Sequence, residues 1–279
     1  MMDDWSRAVR SQFTALIDVR SDQIPLAEAA ILIGAEDYPG LDIPGYLARI
    51  DALADEIRHE VREADDARTA GTALTSFLHD RMDFRGNEDD YYDPRNSFLH
   101  EVLDRRRGIP ITLSILYLEV GARLGLAVRG IGLPGHFLIK LSDAGTFVDP
   151  FSGRVDLAEA DCSERVRALH GDNAAFEPSM LEPQSNRQIL TRVLTNLRVI
   201  YRNQGDQQRA RSALDRLILL NPRAGQLHRE RADVLAGLGE YRLALNDVER
   251  VRELQPTTRR SKRFRGWRRF IRQMAERMN

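Results

Sequence analysis

Three positions between Gly108 and Phe151 have the order of a cysteine-type catalytic triad, except that the first of them is a proline. Pro110 opens a strongly apolar predicted helix, His136 lies in a strand-like run, and Asp149 lies in the next such run. In a triad of this type the helix dipole lowers the pKa of a thiol, a histidine deprotonates the thiol, and an acid orients the imidazole. Because proline has no nucleophilic atom, ordinary thiol acyl transfer is excluded.

The site has three possible uses, and the sequence leaves all three open. As a binding, scaffold or regulatory protein, the chain keeps the pocket without the chemistry. As a hydrolase or acyltransferase, it uses a relocated nucleophile, Thr112 or Ser114, within about a turn of Pro110. In this second use the enzyme can also do without such a nucleophile, with His136 and Asp149 acting as a general base on the substrate or on water. In the third use, the histidine is a packed structural residue bonded to the aspartate. We predict the first use, a protein that is not an enzyme.

The helix that must place Pro110 is apolar around most of its circumference. Its apolar positions are Ile111, Leu113, Ile115, Leu116, Leu118, Val120 and Leu124. A helix with this pattern is buried on nearly all sides. Proline is favourable in the first turn because the amide hydrogens there have no helical partner. The segment therefore predicts a buried helix that starts at the site.

Two short strands must place the histidine and the aspartate. The run that begins at His136 is followed by a turn over residues 142–145 and by a return strand that ends at Asp149. If the turn is symmetric about its centre, His136 faces residue 151 and lies diagonal to Asp149 on the same face of the sheet. A shift of the register by one residue would place them on opposite faces.

A polar loop over residues 86–96 carries acidic and amide side chains at alternating positions. It lacks the glycine and glutamate spacing of an EF-hand calcium loop. We predict a lid or brace in which these side chains bond to nearby backbone, with no metal and no other cofactor. The predicted pocket residues are Asn96, Pro110, Thr112 and Ser114.

The composition is that of a soluble globular protein, because 42% of the 279 residues are hydrophobic and 30% are charged. This length suits one large or two ordinary domains. No apolar run approaches the roughly 20 residues that a bilayer span needs, and the first residues lack an apolar signal core. We therefore predict a cytoplasmic protein without membrane contact. The single cysteine, Cys162, has polar flanks and is predicted to be an incidental surface thiol.

A repeat with a period of 34 residues appears beyond Gln184. The residues Gly205, Ala210, Leu220 and Pro222 recur as Gly239, Ala244, Leu254 and Pro256. This period, with small residues where two helices approach and proline where the second helix ends, is typical of tetratricopeptide repeats. The pattern predicts an all-α helical array that binds a protein partner.

The segment from Thr257 to Asn279 is strongly basic, with nine Lys or Arg residues against one acid, whereas residues 1–256 have a net charge of −9. Aromatic and aliphatic side chains lie between its arginines. A solenoid needs an end cap with a polar outer face. We predict a basic capping helix and regard nucleic-acid binding as the less favoured alternative.

The arrangement around the triad positions resembles the transglutaminase-like superfamily, which has a papain-like α+β fold with Cys, His and Asp in that order. Counting back from Gly125, in the Arg-Leu-Gly step that closes the apolar helix, the superfamily's cysteine falls on Pro110. Its histidine and its aspartate fall on His136 and Asp149. The resemblance implies a retained cleft that holds a peptide or a small ligand.

Longer motifs resemble the SirB-type family of bacterial proteins in particular. They begin at Asp83, Asp90, Val102 and Pro134 and read DFRGN, DYYDPRNSFL, VLDRRRGIP and PGHF. Proteins of this family have a transglutaminase-like core followed by tetratricopeptide helices, and they carry proline at the nucleophile position. The resemblance implies the same architecture here.

The predicted fold is therefore α+β. A SirB-type transglutaminase-like domain over residues 1–183 consists of a helical region, 1–85, and a papain-like core, 86–183. An all-α array of tetratricopeptide type with the basic capping helix follows over residues 184–279.

Overall fold

The computed structural model describes residues 4–171 and 175–277. The chain forms two compact units, Met1–Val193 and Leu194–Asn279. Residues 1–3, which belong to the stretch examined for a signal core, lie outside the described residues.

The first unit is mostly helical. Its helices are α1 (Asp4–Ile17), α2 (Leu26–Ala35), α3 (Ile43–Arg62), α4 (Ala67–Thr75), α5 (Leu99–Arg105), α6 (Pro110–Arg123) and α7 (Glu159–His170). The helix α4 continues as a π-helical segment, Ser76–Arg81, and 3₁₀ turns cover Pro94–Ser97 and Pro178–Leu181. The next helix, α8 (Asn186–Gln204), passes from the first unit into the second.

The start of α8 explains why the first unit extends to Val193, beyond the predicted boundary at residue 183. The side-chain amide of Asn186 donates to the carbonyl oxygen of Ile24 at 2.8 Å. The guanidinium of Arg187 donates to the carbonyl oxygen of Ile17 at 2.6 Å. The first turn of α8 is therefore bonded to the end of α1 and to the residues between α1 and α2, although the sequence prediction places this helix in the array over residues 184–279.

The main sheet is an antiparallel meander of four strands, in which each strand pairs with the next one along the chain. Its strands are β3 (Val128–Ile131), β4 (Leu138–Leu141), β5 (Thr146–Asp149) and β6 (Arg154–Leu157). Two further strands, β1 (Arg85–Gly86) and β2 (Arg107–Gly108), form a short parallel pair. The sheet and the helices together make a mixed, mostly helical fold of the α+β type.

The register between β4 and β5 matches the sequence prediction. Ile139 pairs with Val148, and Leu141 pairs with Thr146. Continued by two residues beyond the strands, this register places His136 opposite Phe151. The turn between the strands therefore fixes the histidine and the aspartate on one face of the sheet.

The helix α6 lies in the core of the first unit, as its apolar pattern predicts. Ten of its 14 residues are buried, among them Pro110. The helix α2 is also buried almost completely, with nine of its ten residues buried. In α3 only one stripe is buried, formed by Ile50, Leu53, Ala54, Ile57 and Val61. This difference follows from the sequence, because α3 alone of the three has a polar face.

The second unit is entirely helical in its described part. After α8 come α9 (Gln207–Leu220), α10 (Gly225–Gly237), α11 (Tyr241–Leu254) and α12 (Lys262–Arg277). Both ends of α11 lie 34 residues after the corresponding ends of α9. The turns before these two helices contain Gly205 and Gly239, whose φ angles of 74° and 78° favour glycine. The sequence period thus recurs as a period in the helices.

The basic helix α12 packs on α11 through an apolar face. Phe264 and Ile271 share a buried cluster with Val248 and Val251. Arg268, on the same helix, pairs with Glu249 at 2.7 Å. No helix among the described residues is long and apolar enough to cross a bilayer.

Replacing Leu116 by Ala tests the burial of α6. Leu116 is 0% exposed, whereas Leu169 on α7 is 54% exposed. We expect Leu116→Ala to lower the free energy of unfolding by about 2–5 kcal/mol, because it leaves a cavity. Leu169→Ala should change it by less than about 0.5 kcal/mol. Urea denaturation measures both, and equal losses would contradict the placement of α6 in the core.

Candidate functional site

The carboxylate of Asp149 lies at the end of β5 and is fully buried, with 0% exposure. One of its oxygens, Oδ1, lies 2.9 Å from Nε2 of His136 and accepts from the backbone N–H of Phe151 at 3.1 Å. The other oxygen, Oδ2, accepts from the hydroxyl of Ser152 at 2.8 Å and pairs with Arg165 at 3.0 Å. Four partners therefore satisfy this carboxylate.

The local backbone explains this convergence. The chain turns directly after β5, and the N–H of Gly153 donates to the carbonyl oxygen of Asp149 at 2.8 Å. Gly153 has a φ angle of 72°, and a Cβ atom there would come within 2.6 Å of the His79 ring. A glycine is therefore required at this turn, and the turn brings Phe151 and Ser152 back onto the carboxylate.

Two opposing effects act on the pKa of Asp149. Burial raises this pKa, whereas the hydrogen bond and charge of His136, the Ser152 hydroxyl and the charge of Arg165 lower it. The net pKa is below the usual range for aspartate. The residue is therefore a carboxylate at neutral pH and can orient the imidazole.

The imidazole of His136 is held by its Nε2 atom, and its other nitrogen is open. Among the described residues no hydrogen-bond partner reaches Nδ1, and 7% of the residue is exposed. The ring of Phe151 packs edge-on against it at 6.2 Å between centroids. The ring is thus held through one nitrogen while the other nitrogen is unpaired among the described residues, an arrangement that suits a base or a histidine that contacts a ligand.

The start of α6 carries no available nucleophile. Pro110 is the first residue of the helix and is buried. The hydroxyl of Thr112 donates to the carbonyl oxygen of Asn96 at 2.6 Å and accepts from the N–H of Ile109 at 3.3 Å. The hydroxyl of Ser114 is buried and has no hydrogen-bond partner among the described residues. Neither hydroxyl is bonded to His136.

Asn96 is a brace inside the polar loop. Its amide nitrogen donates to the carbonyl oxygen of Asp90 at 2.7 Å, and its Oδ1 accepts from Asn87 at 3.0 Å. Its own carbonyl oxygen receives the Thr112 hydroxyl. The residue is 0% exposed, so it joins the loop to α6 and offers no polar side-chain atom to a ligand. The structure thus brings together Asn96 and Thr112, and separately His136 and Asp149.

The prediction that Cys162 is a surface thiol is wrong. Its exposure is 1%, and it packs in the cluster formed by the sheet and α7 with Leu138, Phe147 and Val166. Burial raises the pKa of this thiol to about 11. The thiol is therefore protonated and unreactive at neutral pH.

Three residues near the dyad were not singled out from the sequence. Ser152 and Arg165 bond to the carboxylate of Asp149, and Arg192 on α8 donates to the carbonyl oxygen of His136 at 2.8 Å. Only Ser152 had a signal in the sequence, because it lies three residues after the end of the return strand. The described residues contain no group of three His, Cys, Asp or Glu side chains placed to hold a metal ion.

Comparison with known proteins identifies the core. The profile of the transglutaminase-like superfamily matches residues 45–195. A UPF0162 protein of Xylella fastidiosa is 36% identical over 90% of this chain and 91% of its own length. A UPF0162 protein of Pseudomonas aeruginosa is 31% identical over 85% of this chain and 87% of its own length.

A eukaryotic protein contains a similar segment. The F-box only protein 21 of Mus musculus is 30% identical over 168 residues, which cover 56% of this chain and 26% of that protein. No solved structure matches the chain.

Replacing Asp149 by Asn tests the buried carboxylate. We expect a loss of about 3–5 kcal/mol in the free energy of unfolding at pH 7, because Arg165 loses its ion-pair partner. Asp143→Asn, in an exposed turn, is the control and should change it by less than about 0.5 kcal/mol.

The difference in unfolding free energy between the wild type and Asp149→Asn should depend on pH. Because folding lowers the pKa of Asp149, its contribution is present above the unfolded value of about 3.9 and is lost as the pH falls through the folded value. Urea denaturation should therefore show the full difference between the wild type and Asp149→Asn at pH 7 and a shrinking one below about pH 4. A difference that stays constant to pH 2 would exclude this role of the charge.

Proposed function

The chain belongs to the transglutaminase-like superfamily and to the UPF0162 family, and we propose that it is a non-catalytic, cytoplasmic member that binds a ligand beside His136. The observation that carries this proposal is the start of α6. Pro110 stands there in place of a nucleophile, while the Thr112 hydroxyl is bonded to backbone and the Ser114 hydroxyl is buried. An enzyme of the thiol type needs an activated nucleophile at this point.

The retained His136–Asp149 dyad supports a binding role for the site. A buried carboxylate with four partners is costly to assemble and is stable only when every partner is in place. Since the site has no nucleophile, what the Asp149 carboxylate does is hold the imidazole of His136 by Nε2 and leave Nδ1 unpaired among the described residues. That nitrogen can donate a hydrogen bond to a ligand or accept one from it.

Within the superfamily, we assign the chain to the SirB-type proteins and helices α8–α12 to a tetratricopeptide-type array that recruits a protein partner. The 34-residue period of the sequence and of the helix ends supports this assignment. A groove of about 410 Å³ lies between the helices of the second unit. It is lined by Arg202, Gly205, Gln207, Ala210, Glu230, Asp233 and Val234. The match to a segment of a longer F-box protein supports the use of the core as a module in larger assemblies.

A second candidate function is that of a hydrolase in which His136 acts as a general base on water. The open Nδ1 atom favours it, because Nε2 is already held by Asp149 and the ring is oriented for proton transfer. It requires no nucleophilic side chain. The first candidate is preferred because no element of the described site supplies a reacting group besides this base.

Replacing Pro110 by Cys tests whether this position is that of the lost nucleophile. We expect the new thiol, in a Cys162→Ala background, to react with iodoacetamide at pH 6 at least about tenfold faster than a free cysteine. Mass spectrometry measures the rate. Adding His136→Gln should remove the acceleration, and an unaccelerated thiol would contradict the assignment.

Activity assays on the wild type and on two histidine variants decide between the two candidate functions. Wild-type protein should neither join amines to glutamine peptides nor hydrolyse amide and ester substrates above the rate of His136→Gln. Turnover by the wild type that is lost in His136→Gln, but kept in His59→Gln, would overturn the non-catalytic proposal.

A charge reversal in the groove tests recruitment by the helical array. Asp233 lines the groove, and Glu253 on α11 forms an exposed ion pair with Arg250. Full-length Asp233→Arg should lose protein partners in quantitative pull-downs, whereas Glu253→Arg should keep them. Circular dichroism verifies that both variants are folded, and identical partner sets for the wild type and both variants would refute recruitment through this groove.

A further inference from the structure

Arg192 is a cation that bonds to the backbone of the dyad histidine. It lies on the part of α8 that belongs to the first unit. Its NH2 group donates to the carbonyl oxygens of Leu133 and His136 at 2.7 and 2.8 Å. The guanidinium carbon lies 5.5 Å from the centre of the Phe137 ring. Two hydrogen bonds and an aromatic face therefore fix this guanidinium against the backbone of the dyad histidine.

The charge of Arg192 is not neutralised within the described residues. Its recorded partners there are the two carbonyl groups and the Phe137 ring, and none of them is a carboxylate. Arg165 differs, because it pairs with Asp149 at 3.0 Å. Partial burial lowers the pKa of Arg192, but a guanidinium remains charged at all physiological pH values. A partly buried cation of this kind is favoured when an anion can reach it.

Donor groups of Arg192 remain available to such an anion. A guanidinium has five N–H donors, and the two of NH2 are directed at carbonyl groups. The two N–H groups of NH1 and the N–H of Nε have no partner in the described part of the chain. Because the hydrogen of Nε points toward the side of NH2, NH1 and Nε do not form a two-donor fork, and NH1 offers a carboxylate oxygen a single charge-assisted hydrogen bond.

Aromatic side chains connect this cation to the imidazole. The Phe137 ring that Arg192 faces directly follows His136 in the chain. Burial has the larger effect on the Tyr91 phenol and raises its pKa, whereas the positive charge of Arg192 acts to lower this pKa. The Tyr91 ring packs against Phe151 at 6.1 Å, and Phe151 packs against His136 at 6.2 Å. Tyr91 is 37% exposed. The surface beside the dyad therefore combines a fixed cation, apolar rings and one open imidazole nitrogen.

We propose that Arg192 recognises a carboxylate on the ligand that lies against His136, an inference that rests on the binding role proposed above. One guanidinium matches one negative charge, since the second arginine of this region is already paired with Asp149. A monoanionic carboxylate therefore fits better than a phosphate dianion. The carboxylate belongs to a small acid, to a peptide C-terminus or to an acidic side chain.

The test uses the full chain with ¹³C-labelled histidine and follows the NMR signal of His136, which is identified by its loss in His136→Gln. The probes are N-acetylglycine and its neutral isostere, N-acetylglycinamide. We expect the acid to shift the signal saturably and the amide to bind at least about tenfold more weakly, as for a lost charge-assisted hydrogen bond. In Arg192→Gln the acid should bind no better than the amide. Arg129→Gln, at an exposed position on β3, should behave as the wild type.

Further probes separate the sources of the carboxylate. Acetate represents a free acid, N-acetylglycine a chain terminus, and N-acetylaspartic acid α-amide a side chain, and the tightest of the three identifies the source. Inorganic phosphate that binds more tightly than all three would overturn the assignment to a carboxylate.

The outcomes also distinguish this inference from the proposed function. Equal binding of acid and amide would overturn the role of Arg192 and leave the site as a ligand site. No saturable shift with either probe would overturn the role of Arg192, while the turnover assay with His136→Gln decides the proposed function independently. If Arg192→Gln does not fold, the comparison of acid and amide on the wild type still gives the decision.

Discussion

A carboxylate with no exposed surface must find all its partners inside the protein, and Asp149 imposes this constraint on the whole site. Its four partners come from the loop before β4, the turn after β5, and α7. The turn exists because Gly153 adopts a left-handed conformation against His79. The orientation of His136 is therefore one consequence of a network that also joins the sheet to α7.

The sequence predicted the parts of this network that depend on short-range geometry. The register that brings His136 to Asp149 follows from the length of a single hairpin turn, and the burial of α6 follows from its lack of a polar face. The proline start of α6 was predicted from the same local reasoning. Each of these features depends only on residues that are close in the chain, so it can be predicted from a single sequence.

The features that the sequence did not predict depend on packing between distant segments. Cys162 has acidic and basic neighbours, but its helix turns the thiol toward the sheet, where Leu138 and Phe147 cover it. Arg165 and Arg192 are two of many arginines in the chain, and only the tertiary structure selects them. Asn96 was predicted to line the pocket, whereas its polar atoms bond to the loop and to α6. The sequence alone does not tell whether a polar residue in a motif bonds to the protein itself or to a ligand.

The continuity of α8 limits how this core can be recombined with other domains. Asn186 and Arg187 bond to Ile24 and Ile17 in the N-terminal region, and Arg192 bonds to the loop that carries His136. A gene fusion or deletion that cut the chain at residue 183 would remove these anchors along with the repeats. The superfamily match, which covers residues 45–195, includes these three residues of α8 but not Ile17 and Ile24, to which Arg187 and Asn186 bond. A segment that keeps these contacts therefore needs the N-terminal helices, the sheet and the first turns of α8 together, so a domain boundary placed before α8 would break them.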